Sequence, residues 1–145
     1  MWIEIAHPYL FERMTSFSIP HRDRMVICSY DGAHFVTLVP TVSVAHDPTL
    51  AEEYTGGDDV EWEGVTFRTL GYGGGDPILV HPDGSRLVPR IAEECVDVIS
   101  PDGVVIQTIE FDDLSGDWGY ATFSTDGQYL VIGVPYDIYI YRKDA

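Results

Sequence analysis

The sequence predicts an all-β fold, a single domain spanning residues 1–145 and built of about three four-stranded antiparallel units. Short runs alternate apolar and polar residues with period two, Asp-Gly pairs recur at matching offsets between such runs, and fourteen Gly and nine Pro supply frequent turns. The 45% hydrophobic fraction, with nine Tyr, six Phe and three Trp, belongs to a globular chain. At 145 residues, folding can bury roughly 70% of the surface the unfolded chain exposes, enough for an independent core.

The first strand is expected at residues 2–6 (WIEIA), ending at His7-Pro8. Strands follow at 13–19 (RMTSFSI), 25–28 (MVIC), 35–39 (FVTLV) and 42–45 (VSVA), with an Asp-Gly turn at 29–32 (SYDG). One short helix is expected near 48–55: Asp47 is a capping residue, Pro48 suits the first helical position and Gly56 can terminate the turn. Beyond it lie an extended run at 60–70 (VEWEGVTFRTL), a Gly-rich link at 71–76, a strand at 77–80 (PILV), the turn 81–84 (HPDG) and a strand at 86–88. The last third gives strands at 96–99 (VDVI), 104–111 (VVIQTIEF), 119–123 (GYATF), 129–132 (YLVI) and 138–142, with turns at 100–103 (SPDG) and 124–127 (STDG).

The alternating strands at 2, 42, 96 and 138 recur at a spacing in the range of β-propeller blades, once the helical insertion is allowed for. Repeat units are therefore placed at approximately 2–41, 42–95 and 96–137, with a closing strand at 138–142.

FSTDGQYL at 123–130, HPDGSRLV at 81–88 and, more loosely, SYDGAHFV at 29–36 resemble the F-S-P-D-G-x-x-L turn of WD40-type and TolB-like β-propeller repeats. The Pro-Asp-Gly type is the closer match, because Tyr141-Arg142 stands where a Trp-Asp pair would close the last unit and no Gly-His pair occurs. The resemblance implies a partial propeller of about three blades. A propeller of one chain closes with 4–8 blades, so the sheet edges are expected to be managed in one of three ways. Two chains join into a six-bladed ring by self-association through open edges, with strand 2–6 pairing across the boundary; or the sheets stay open; or they collapse into a small sandwich.

A formal charge of −16, from 24 acidic and 8 basic residues, repels phosphate backbones and anionic membranes, so neither nucleic acid nor membrane is an expected partner. A protein partner, which the acidity suggests is basic, is the better match. Cys28 and Cys95 form no CxxC and are expected as buried thiols in a reducing, cytoplasmic setting; the N-terminal run, broken by Glu4 and Pro8, does not resemble a signal peptide.

No cofactor and no metal are expected. His7 and His46 occupy matching strand ends, but no HxH, HExxH or Cys/His cluster accompanies them. The Gly-rich link lacks the GK[ST] ending of a phosphate loop, and the acidic pairs Asp58-Asp59 and Asp112-Asp113 with Asp117 lack EF-hand spacing. With no GxSxG and Cys28 in an apolar strand, no catalytic residue is nominated and the chain is not expected to be an enzyme. The binding residues nominated are Tyr72, Trp118, Tyr120 and Tyr136, aromatic groups in or beside links where anchors carry binding energy. The expected function is a non-enzymatic protein-interaction or scaffold module. The alternatives are an acidic inhibitor or immunity-type protein that neutralises a basic partner, and a carbohydrate or small-ligand binder.

Overall fold

The computed structural model describes residues 1–48 and 56–143, which hold thirteen strands and a single 3-10 turn, Ile91–Glu93. In chain order the strands are β1 (Trp2–Glu4), β2 (Met14–Ser18), β3 (Arg24–Ser29), β4 (Gly32–Thr37), β5 (Ser43–Asp47), β6 (Asp59–Trp62), β7 (Val65–Gly71), β8 (Arg86–Arg90), β9 (Cys95–Ile99), β10 (Val105–Glu110), β11 (Tyr120–Phe123), β12 (Tyr129–Val134) and β13 (Asp137–Lys143). They form three sheets, ordered β1-β13-β12-β11, β10-β9-β8 and β5-β4-β3-β2-β7-β6. All pairings between strands are antiparallel, and one sheet is bent into a half-barrel. The fold class is all-β, as the period-two patterning predicts. The expected helix near 48–55 falls on residues 49–55, outside the described residues.

The four-stranded sheet is the middle layer. Every residue of β12 is buried, and its alternation assigns the two faces. Leu130, Ile132 and Val134 pack with Leu87, Val96, Val98 and Ile109 of the three-stranded sheet. Tyr129 and Val131 pack with Phe17, Met25, Ile27, Val36 and Leu70 of the six-stranded sheet. Side chains of this size contribute about 1.5–3 kcal/mol each on burial, so a strand buried on both faces anchors both neighbours. A third, smaller cluster lies among Val26, Cys28 and Ala33 with Val60 and Phe67 of the β6–β7 hairpin.

Gly133 belongs to the interface with the six-stranded sheet. A methyl group there would stand 2.3 Å from Phe17 Cε1 and 2.8 Å from Met14 Cε, so the absence of a side chain lets β2 approach the middle sheet.

The N-terminal strand closes this middle sheet within the chain, pairing Trp2 with Lys143 and Glu4 with Tyr141. Its other edge is tied to the three-stranded sheet by one side chain: Gln107 Oε1 accepts the Trp2 N–H at 2.8 Å and Gln107 Nε2 donates to the Trp2 carbonyl at 2.9 Å. This amide stands in for a strand partner at an otherwise open edge.

Two strand expectations change. The run 60–70 is a hairpin, not one strand: Glu63 (φ 50°) and Gly64 (φ 77°) form a two-residue turn with Trp62 paired to Val65. The hairpin continues the six-stranded sheet through β7 beside β2. The run 77–80 contributes only an isolated bridge, Val80 to Arg86, although Ile78 also exchanges hydrogen bonds with the edge of β11.

Three of the four Asp-Gly turns set a side chain two residues before the Asp against its carboxylate, whereas in 100–103 Ser100 Oγ accepts the Val104 N–H. Ser29 Oγ donates to Asp31, Ser124 Oγ donates to Asp126 at 2.7 Å, and His81 Nδ1 lies 2.9 Å from Asp83 Oδ1. Their placement differs. His81 donates from Nε2 to the Gly127 carbonyl at 2.8 Å, and the Thr125 N–H donates to Pro20, so turns 81–84 and 124–127 sit beside the β2–β3 connection. Ser29–Gly32 lies at the far end of β3, where it meets Arg13 and the β12–β13 turn. Its spatial counterpart is therefore Pro135-Tyr136, one strand later in the meander than the sequence alignment of turns implies.

Replacing Gly133 with Ala is expected to destabilise the protein by about 1–3 kcal/mol through overpacking, measured as a lower urea midpoint; an unchanged midpoint would contradict the tight approach. At the other end of the fold, bonds from Lys143 and then Ser85 hold the Asp83 carboxyl well below its usual range. A lowered folded pKa adds stability above the unfolded value and loses it as pH falls toward the folded one. Asp83→Asn should therefore cost about 0.5–1 kcal/mol at neutral pH, modest because the side chain is solvent-screened. The gap from wild type in urea titrations should close as pH drops below about 4.

Candidate functional site: an aromatic cleft around Arg13

The cleft begins with two backbone hydrogen bonds at the start of β2. Arg13 accepts the Tyr30 N–H at 3.2 Å through its carbonyl, and the Met14 N–H donates to Pro135 at 2.7 Å. These bonds draw the β3–β4 and β12–β13 turns to either side of residue 13, and each turn carries a Tyr-Asp pair: Tyr30-Asp31 and Tyr136-Asp137. The Arg13 guanidinium consequently lies 5.8 Å from the Tyr30 ring centre and 5.3 Å from that of Tyr136, within cation–π range. It also donates to Tyr136 Oη at 3.3 Å and to Asp117 Oδ2 at 2.9 Å.

Two hollows open here and share Arg13 and Tyr30. One, of about 390 Å³, is completed by Met14, Tyr72, Asp117 and Trp118; the other, of about 400 Å³, by Glu12, Asp31 and Tyr136. Both are of a size that suits a side chain or small group. Tyr72 is held at the rim by its N–H, which donates to Thr15 at 3.3 Å. Trp118 is half-buried and stacked on Phe17, with ring centres 6.5 Å apart and planes 15° apart.

Of the four residues nominated from sequence, Tyr72, Trp118 and Tyr136 line these hollows. Tyr120 does not; it stands behind Trp118, 6.2 Å between ring centres, and packs against the core. Tyr72 is 63% and Tyr136 41% exposed, as is Tyr30 at 59%. Sequence reasoning missed Arg13 and Tyr30. The available signal was the Tyr-Asp dipeptide repeated in two tight turns, hidden because Tyr30 sits inside an Asp-Gly motif that was aligned to the other end of the fold.

At the Asp31 end of the cleft lies a polar cluster. His34 and His46 are cross-strand partners on β4 and β5, and their rings stack with centres 4.5 Å apart and planes 6° apart. His34 is buried and its Nε2 lies 2.9 Å from Ser29 Oγ and 3.4 Å from Asp31 Oδ1. His46 is exposed and donates from Nε2 to the Asp31 carbonyl at 2.6 Å. Desolvation lowers the His34 pKa, with the Asp31 charge opposing and His46 assisting; the Ser29 hydrogen bond is the main cause that lowers that of Asp31. His7, matched to His46 by sequence position, is elsewhere and bonds the carbonyls of Pro8 and Ile138.

The remaining sequence candidates are accounted for locally. Gly71 and Gly74 pair with each other in the Gly-rich link, and Asp113 Oδ1 accepts the N–H groups of Ser115 and Gly116 to shape its own turn. A separate hollow of about 400 Å³ is lined by Glu4, Glu93, Glu94, Glu110 and Asp112 with Cys95, Phe111 and Tyr139. Cys28 is fully buried, and burial pushes its thiol up to about 11. It should therefore resist alkylation by iodoacetamide near neutral pH in the folded protein and react after unfolding in urea, as read by peptide mass spectrometry. Native-state labelling at Cys28 would contradict its placement.

No helix among the described residues is long and apolar enough to cross a membrane. Compared with protein-family models, curated proteins and solved structures, the chain matches none of them, so the functional reading rests on this geometry alone.

Proposed function

We propose that the protein is a non-enzymatic protein-interaction module whose partner docks in the aromatic cleft around Arg13. The observation that carries this reading is the convergence of Tyr30, Tyr72, Trp118 and Tyr136 on one cation from four separate connections. Tyr and Trp offer large rigid contact area at low entropic cost, and such residues supply most of the binding energy at interfaces. The carboxylates of Glu12, Asp31 and Asp117 fringe the rings, and the whole chain carries −16. A partner segment bearing Lys or Arg beside an apolar or proline residue suits this chemistry, and the long-range field speeds its approach.

The same proposal extends to architecture. Three sheets stacked face to face, meanders joined by Asp-containing turns and an N-terminal strand added outside the C-terminal one support propeller-type blades of the WD40-like or TolB-like kind.

A displayed peptide library selected against the full chain tests the docking site. Binders enriched in basic residues are expected, and Tyr72→Ala or Tyr136→Ala should each weaken them about thirtyfold, the scale of an interface anchor. Both residues are exposed, so folding is not at stake. A selection without binders, or binders indifferent to both changes, would overturn the assignment.

A further inference from the structure

We infer that Asp31, His34 and His46 form a binding site for one first-row divalent transition-metal ion, of which Zn²⁺ is the natural representative. The ligand atoms of the three residues lie within 4.8 Å of one another, and among the described residues they are the cluster with that property. Two imidazoles and a carboxylate match the donor set such ions prefer, whereas Ca²⁺ and Mg²⁺ require predominantly oxygen ligands.

Three separate pieces of backbone fix the donors before any ion arrives. Asp31 belongs to the tight β3–β4 turn, His34 to β4 and His46 to β5, and the last two are held opposite each other by a register that runs from Ala33–Asp47 to Thr37–Ser43. Ser29 Oγ donates to the Asp31 carboxylate, the position of an outer partner that orients a ligand around a metal. Access is through Asp31, which lines the second hollow of the cleft.

Bonds of about 2.1 Å bring tetrahedral ligand atoms to roughly 3.4 Å from one another, so donors spread over as much as 4.8 Å must close by up to about 1.4 Å. His46 supplies that motion. Its side chain is exposed on an edge strand, and it exchanges a ring stack and one hydrogen bond to the Asp31 carbonyl for a coordinate bond. An ion held this way would link the outermost strand of the six-stranded sheet to the turn that carries Tyr30, and so would stabilise the folded state in proportion to its occupancy.

The test is titration of the metal-free full chain with Zn²⁺, followed by imidazole NMR and by calorimetry. One equivalent is expected to shift the His34 and His46 ring signals ahead of those of His7, His21 and His81, while Ca²⁺ and Mg²⁺ at the same concentration leave them in place. His46→Ala, a change at an exposed position, should weaken binding by at least about tenfold, and Ser29→Ala by about tenfold through loss of ligand orientation. Equal binding by His46→Ala, or Zn²⁺ shifts confined to other histidines, would overturn the site.

Discussion

β12 is buried on both faces, and this constraint sets the layering of the molecule. A strand in that position cannot alternate apolar with polar, and YLVIGV does not. It needs a sheet on each side, and the two larger apolar clusters divide its residues between them. The division also explains Gly133: on the face toward β2, Tyr129 and Val131 fill the interface where the layers are far enough apart, and the closest approach leaves room only for hydrogen.

The cleft follows from the same stacking. When the six-stranded and middle sheets pack face to face, their connections meet at a common end, and backbone bonds from residues 13 and 14 register the two turns against each other. Tyr30 and Tyr136 are then equivalent walls around a guanidinium whose charge is met by Asp117. An arginine among aromatic rings would be a poor choice for a core; at the rim it keeps the hollow open and polar at its base while the rings remain exposed. Function is carried here by turn residues on a scaffold whose strands contribute packing.

Most strands were legible because period-two alternation survives wherever one face is wet. The run at 60–70 was misjudged as continuous since Glu63-Gly64 lacks the Asn-Gly or Asp-Gly signature, and only the positive φ of both residues makes it a turn. The aromatic character of the site was also legible, as Tyr72, Trp118 and Tyr136 stand in links. What sequence could not supply was the register between layers. Arg13 looks like the start of a strand, Tyr30 looks like turn filler, and His34 lies far from His46 until β4 and β5 pair. Each of these depends on a partner in another strand or turn, which local pattern does not encode.

The pairing of Trp2 with Lys143 has a temporal side. A ribosome delivers roughly 5–20 residues per second, so the first strand emerges many seconds before the segment it must join. The meanders β2–β5 and β8–β10 are sequence-local and can assemble as they appear, whereas the middle layer requires residues from both extremes of the described chain. The closure of the middle layer is the pairing with the largest sequence separation, the kind that is entropically slowest to form. Until β12 is in place, neither outer sheet has the partner that covers its inner face.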